Sequence, residues 1–314
     1  MITWGINALN HDASICVFKD RNIIWHKRSS EFTGISGDPY LNISMIDQAK
    51  KLGLPERIYW YENPFLKKLR QLRAGQYSLA FDLNELPSIY LKNLDFNCPI
   101  TYSSHHLSHA AAGYYTSSFV NATIVVVDAI GEFETMSIWG GRGRQLTKLW
   151  SNSYPNSIGL FYSAFTQLIG LEPTKQEHIL MNMSLKGDSN RYYKKVSEYF
   201  KKPTYLKFNL HKGIDDWNLK INNDSDKFDI AAAVQRVFEE QMNCIMHTAL
   251  KLNDSENLVF MGGCAYNQLY NQKLIKIWDK IYDFPYPGDA GSSIGAVLAF
   301  TKMHTKYLDN SIKK

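Results

Sequence analysis

Residues 2–28 read "ITWGINALNHDASICVFKDRNIIWHKR", and residues 122–154 read "ATIVVVDAIGEFETMSIWGGRGRQLTKLWSNSY". In the first stretch, runs rich in β-branched and aromatic residues are separated by a polar loop and by a turn at Asp20, Arg21 and Asn22. That spacing predicts a strand, a loop and two further strands, an antiparallel meander. The second stretch repeats this grammar, with its turn at "RGR". Each first loop carries an aspartate, Asp12 in one copy and Asp128 in the other. A supersecondary unit that recurs within a chain is itself an argument about fold.

Mostly helical sequence follows each copy. "SIGLFYSAFTQLIGL" (157–171) and "FDIAAAVQRVFEEQMNCIMHTALKL" (228–252) space their large apolar residues as helices do. "ENLVFMGG" (256–263) predicts a strand feeding a helix at "NQLYNQKLIKIW", and a short strand near "KIYDF" leads through "PYPGDAGSS" into a last helix. The expected fold is α/β and duplicated: two β-meander-plus-helix lobes, 1–120 and 121–314, with a cleft between them. This layout resembles the actin-like ATPase (ASKHA) superfamily, whose meander loops approach nucleotide phosphates from opposite sides.

The bulk numbers narrow the class. At 314 residues and 45% hydrophobic, the chain is large enough for two lobes. A net charge of +5 permits an anionic ligand or a nucleic acid without requiring either. Cys16, Cys98, Cys244 and Cys264 form no CxxC pair and read as reduced thiols. No run approaches the roughly 18 apolar residues of a membrane span. The opening "MITWGINALNHD" lacks the basic region and long apolar stretch of a secretory leader, so a cytoplasmic location without membrane attachment is expected.

The chemistry begins at "SSHHLSHAAAGYYTS" (103–117). On a helix, His105 and His109 share a face four residues apart, while His106 points elsewhere. Two imidazoles and a carboxylate suit a divalent metal such as iron, zinc or manganese; the same spacing also occurs in plain helix histidines. Asp128, at the end of "IVVVD", and Asp289, in "PGDAGSS" beside Gly288 and Gly291, supply candidate carboxylates, although loop aspartates also serve as turn formers. Gly262 and Gly263 stand where a strand opens a helix, a place that admits a phosphate or forms a tight turn. His11, beside Asp12 in the first loop, either takes a proton from an attacking hydroxyl or caps its loop.

"GINALNHDAS", "HHLSHAAAGYY", "VVVDAIGE", "SIGLFYS", "GGCAYNQLYN" and "PYPGDAGSSIGA" occur in the order found in the nodulation, cephamycin and tobramycin-type O-carbamoyltransferases, and the chain resembles that family from residue 3 to about 300. The resemblance implies transfer of a carbamoyl group from carbamoyl-adenylate, made from carbamoyl phosphate and ATP, to an acceptor hydroxyl. It implies a metal, most often Fe2+ with Zn2+, Mn2+ or Mg2+ as alternatives, held by His105, His109, Asp128 and Asp289. His11 with Asp12 would be catalytic, and Gly131, Glu132, Gly262, Gly263, Asn267 and Gly288 would contact the nucleotide donor.

Three departures qualify the likeness. The family's C-terminal domain, which forms carbamoyl-adenylate, is absent from this sequence, so a separate subunit is the expected partner. The family's basic residue after the first meander falls near Ser36, and Ile179 in "EHILMNMSLKG" replaces a family lysine. The acceptor is a sugar, a small alcohol or hydroxymethylcytosine in DNA, since some members resemble phage DNA-modifying enzymes. "YWYENPFLKKLRQLRAGQY" (59–77) interleaves Trp60, Tyr61, Phe65 and Tyr77 with Lys67, Lys68, Arg70 and Arg73; it reads as a nucleic-acid track or as a solvated helix face. Two other readings compete: threonylcarbamoyl transfer to tRNA, and a nucleotide-binding subunit that transfers nothing.

Overall fold

A computed structural model describes residues 1–214 and 221–307. The first meander forms as β1 (Ile2–Asn7), β2 (Ser14–Lys19) and β3 (Asn22–Arg28), joined by β4 (Arg57–Trp60) and β5 (Ile100–Tyr102). The second forms as β6 (Asn121–Gly131), β7 (Glu134–Arg142) and β8 (Gln145–Ser153). A small hairpin, β9 (Phe200–Lys202) and β10 (Tyr205–Leu206), precedes β11 (Asn257–Met261) and β12 (Lys280–Tyr282).

Sheet order is β3-β2-β1-β4-β5 in one lobe and β8-β7-β6-β11-β12 in the other. In both, the meander pairs antiparallel, and its first strand pairs parallel with the fourth, which pairs parallel with the fifth. The two halves therefore share one topology, and the fold is the duplicated actin-like one. Among the described residues no helix is long and apolar enough to cross a membrane.

The central strands explain the long apolar runs. β1 and β6 are covered on both faces, so Trp4, Ile6, Ile124, Val125, Val126 and Val127 are all buried. Between the sheets lies a layer of two helices, His105–Thr116 and Asp289–Thr301, each following the last strand of its own lobe. Their close packing depends on small residues. A Cβ on Gly295 would lie 1.7 Å from the Ser108 carbonyl oxygen, and one on Gly5 would lie 1.7 Å from that of Ser293. The Asp289–Thr301 helix packs on β1, β2 and β4, while His105–Thr116 packs on β6, β7 and β11. Each lobe's terminal helix thus lies against the other lobe's sheet, and the start of both helices falls on the seam.

Candidate metal centre

Four side chains from three elements meet at that seam. His105 and His109 occupy the first turns of one helix, Asp289 the first position of the other, and Asp128 the end of the buried part of β6. His105 Nε2 lies 2.9 Å from Asp128 Oδ2 and 3.1 Å from His109 Nε2. His109 Nε2 lies 3.3 Å from Asp128 Oδ2 and 3.2 Å from Asp289 Oδ1. All four side chains are buried, and one ligand atom from each lies within 4.8 Å of the others. Around an ion with bonds of about 2.0–2.2 Å, neighbouring donor atoms stand roughly 3.0–3.6 Å apart, so these spacings suit a single cation.

The surroundings fix each ligand. His109 Nδ1 lies 3.1 Å from the Pro287 carbonyl, which selects the tautomer that leaves Nε2 as the free donor atom. Asp128 Oδ1 accepts the Ala129 and Gly263 amides at 2.8 and 3.2 Å, turning Oδ2 toward the histidines. A Cβ on Gly131 would lie 2.1 Å from the His105 ring, so glycine at this position makes room for that imidazole. Glu132 accepts the His105 and Asn63 amides and anchors the start of the histidine helix. Burial pushes its carboxyl up to about 7, even though the Asn63 and His105 contacts lower it. His106 indeed turns away, to the Ser137 hydroxyl at 2.7 Å.

The carboxylates and imidazoles of the cluster shift one another's acidity strongly. Burial would lower the His109 imidazole, but hydrogen bonds to Asp128 and Asp289 outweigh it and raise it to about 9. Burial works the same way on His105, where Asp289 and Asp128 again prevail and raise it. Burial would raise the Asp128 carboxyl, but its histidine partners hold it well below the usual carboxylate range.

Asp289 also reaches the first meander loop. Its Oδ2 lies 3.2 Å from Asn10 Nδ2 and 3.3 Å from His11 Nε2, while His11 Nδ1 faces Asp12 Oδ2 at 3.1 Å. His11 keeps 37% of its side chain exposed, so it stands at the open edge of the cluster. Burial opposes its charge, but Asp289 and the Asp12 hydrogen bond raise it to about 10. Asn7 supports the loop from below by donating to the carbonyls of His11 and Asp12. Leu9 and Asp12 take left-handed backbone angles there, φ 68° and 53°.

The remaining donor candidates are spread around this centre. Gly262 has φ 91° and its added Cβ would meet the Val127 carbonyl oxygen at 2.3 Å. Gly263 is exposed beside Asp128, and Gly288 packs under Tyr266. Asn267 is turned inward: it caps the Gln268–Leu274 helix and exchanges amide hydrogen bonds with Gln235. The basic stretch 59–77 is divided. Trp60 and Tyr61 are fully buried, Lys67 pairs with Glu62 at 2.7 Å, and only 8% of Arg70 is exposed, whereas Phe65, Arg73 and Tyr77 face solvent. Trp60 and Tyr61 cannot stack bases from where they lie. Asn10 and Pro287 are parts of the site that sequence reading does not single out.

An actin-like fold with a buried two-histidine, two-aspartate cluster at the lobe seam defines the class. The sequence profile of the family described as "Carbamoyltransferase N-terminus" matches residues 42–298, and the chain belongs to that family. It is 28% identical to an uncharacterized protein of Synechocystis sp., over 98% of this chain and 57% of that one. It is 25% identical to the nodulation protein NolO of Bradyrhizobium diazoefficiens, over 62% of this chain and 37% of that one. The chain thus spans little more than half of the first relative and less of the second. Among solved structures, full-length HypF in a phosphate- and nucleotide-bound form superposes with a TM-score of 0.55 at 13% identity, over 96% of this chain and 46% of that one. The activator of 2-hydroxyisocaproyl-CoA dehydratase from Clostridium difficile, with bound ADPNP, gives 0.50 at 13% identity, over 96% of this chain and 95% of that one. At this identity both likenesses speak for the fold alone.

Proposed function

We propose that this chain carries out the transfer step of an O-carbamoyltransferase, moving a carbamoyl group from carbamoyl-adenylate to an acceptor hydroxyl at the lobe seam. The observation that carries the reading is the convergence of His105, His109, Asp128 and Asp289, with one ligand atom from each within 4.8 Å of the others, in a chain of the carbamoyltransferase family. These four would hold a divalent ion, Fe2+ being the first choice for a set without thiolates. Such an ion supplies positive charge to the departing phosphate.

The chain's own groups do the rest. Asp12 orients the His11 ring through Nδ1, leaving Nε2 toward the acceptor hydroxyl, whose proton it takes as the oxygen attacks the carbamoyl carbon. His11 is positioned for this only when Asp289 is engaged elsewhere, because that carboxylate otherwise keeps a proton on the imidazole. Gly263 and Tyr266 at the exposed turn, with Gly288 behind, form the wall for the adenosine. Gly131 and Glu132 serve the donor indirectly, through the placement of His105.

The test supplies carbamoyl-adenylate directly to the purified chain, with sugars, small alcohols and hydroxymethylcytosine DNA as acceptors, and follows carbamoylated product by mass spectrometry. Transfer that falls at least about a hundredfold in both His11→Ala and Asp128→Asn is expected. Undiminished transfer in both variants would overturn the assignment.

A further inference from the structure

Arg70 is a buried guanidinium that forms no ion pair among the described residues. It stands on the helix Pro64–Arg73, next to Ala74, whose packing against Tyr154 and Leu160 joins the first lobe to the second. One nitrogen, Nη1, donates to Gln76 Oε1 at 2.6 Å, while Nε is buried with no hydrogen-bond partner. Among the described residues no carboxylate lies within ion-pairing distance of it, and the nearby Glu62 already binds Lys67 Nζ through Oε1. Stripping water from an unpaired cation costs several kcal/mol, whereas an apolar side chain of similar volume would pack there without penalty.

A second unsatisfied nitrogen belongs to the other lobe. His211 Nδ1 is buried without a partner. Burial, and after it the charge of Arg70, lowers the His211 imidazole, so the ring is neutral and can donate from Nδ1. Tyr61, just after β4 in the same lobe, is buried and sets its ring 5.5 Å from that of His105. A guanidinium whose Nε edge is unused presents a fork matched to two oxygens of one oxyanion.

We propose that the Nε edge of Arg70, with His211 across the seam, is a binding subsite for a phosphate-type oxyanion of a ligand held between the lobes. Its existence does not depend on the carbamoyl-transfer reading, because binding is read without turnover.

The experiment titrates the full chain with inorganic phosphate and with AMP, by calorimetry and thermal unfolding, against potassium chloride at matched ionic strength. Wild type is expected to bind, and Arg70→Met to bind at least about tenfold more weakly while unfolding at the same or a higher temperature. Arg70→Lys, which keeps the charge but loses the fork, should retain only part of the affinity. If phosphate and AMP compete and both need Arg70, the nucleotide donor supplies the oxyanion. If phosphate still binds the AMP-saturated protein through Arg70, the acceptor supplies it. Should Arg70→Met fail to fold, His211→Ala reads the same binding, with a several-fold loss expected. Phosphate and AMP affinities unchanged in the variants that fold would overturn the proposal.

Discussion

At the scale of single residues, the metal centre is a set of charges that must balance. Two buried carboxylates face two imidazoles, and without a cation protons supply the compensating charge. Metal must therefore displace protons, and calorimetry in buffers of different ionisation enthalpy should show about one to two released per ion near pH 7.5. Apparent affinity should rise with pH up to about 9, where His109 loses its proton unaided. Stability of the metal-free protein should run the opposite way. His109 is raised from an ordinary 6.5 to about 9, so its contribution is complete below 6.5 and disappears as pH climbs through 9. Denaturant titrations of metal-free protein at pH 6, 7.5 and 9 check the sign; a flat profile would contradict the protonated cluster. His109→Ala should weaken binding by more than the roughly 10–100-fold typical of losing an outer-shell partner, read as metal content after dialysis. His105, His109, Asp128 and Asp289 were legible in the sequence because i,i+4 spacing and strand-end or loop aspartates are local signals. Asn10 and the Pro287 carbonyl were not, since their roles arise from contacts between segments some 180 to 280 residues apart.

At the scale of elements, the glycines that set contact distance matter most. Gly295 lets the two middle helices touch, and an alanine there would drive its methyl into the Ser108 carbonyl oxygen. Gly295→Ala should cost about 2–3 kcal/mol of stability, visible as a lowered midpoint in urea. Gly131→Ala acts on a side chain: its methyl would overlap the His105 ring, so metal affinity should fall more steeply than stability. Equal loss of both would mean that Gly131 serves the fold only. The strands of both meanders, the long helix now seen as Asp224–Leu252 and the last helix could be read from periodicity and turn residues. The burial of Trp60, Tyr61 and Lys67 within residues 59–77 could not, because a basic, aromatic pattern looks alike on a surface and in a core. What buries Lys67 is a carboxylate five residues earlier and the Leu9 carbonyl, a pairing that no helical face predicts.

At the scale of the molecule, the ligand set is divided between the halves that the duplication produced. His105 and His109 follow the first sheet, Asp128 lies in the first strand of the second, and Asp289 follows its last strand. An ion bound by all four ties the lobes together at the place where their terminal helices cross. Binding to the folded state alone stabilises it by an amount set by mass action, about 2.7 kcal/mol at a free metal concentration one hundred times Kd. A donor set confined to one lobe would protect that lobe alone. A set shared across the seam should instead raise the unfolding transition of both lobes together. Hydrogen exchange with and without Fe2+ or Zn2+ separates the cases: protection should increase in β1 and β4 as well as in β6 and β11. Asp289→Asn removes the second lobe's helix-borne ligand and should reduce the metal-induced rise in melting temperature by at least half. If the metal protects only the strands of one sheet, or Asp289→Asn leaves the rise intact, the ion is not shared between the lobes in the way that these four side chains suggest.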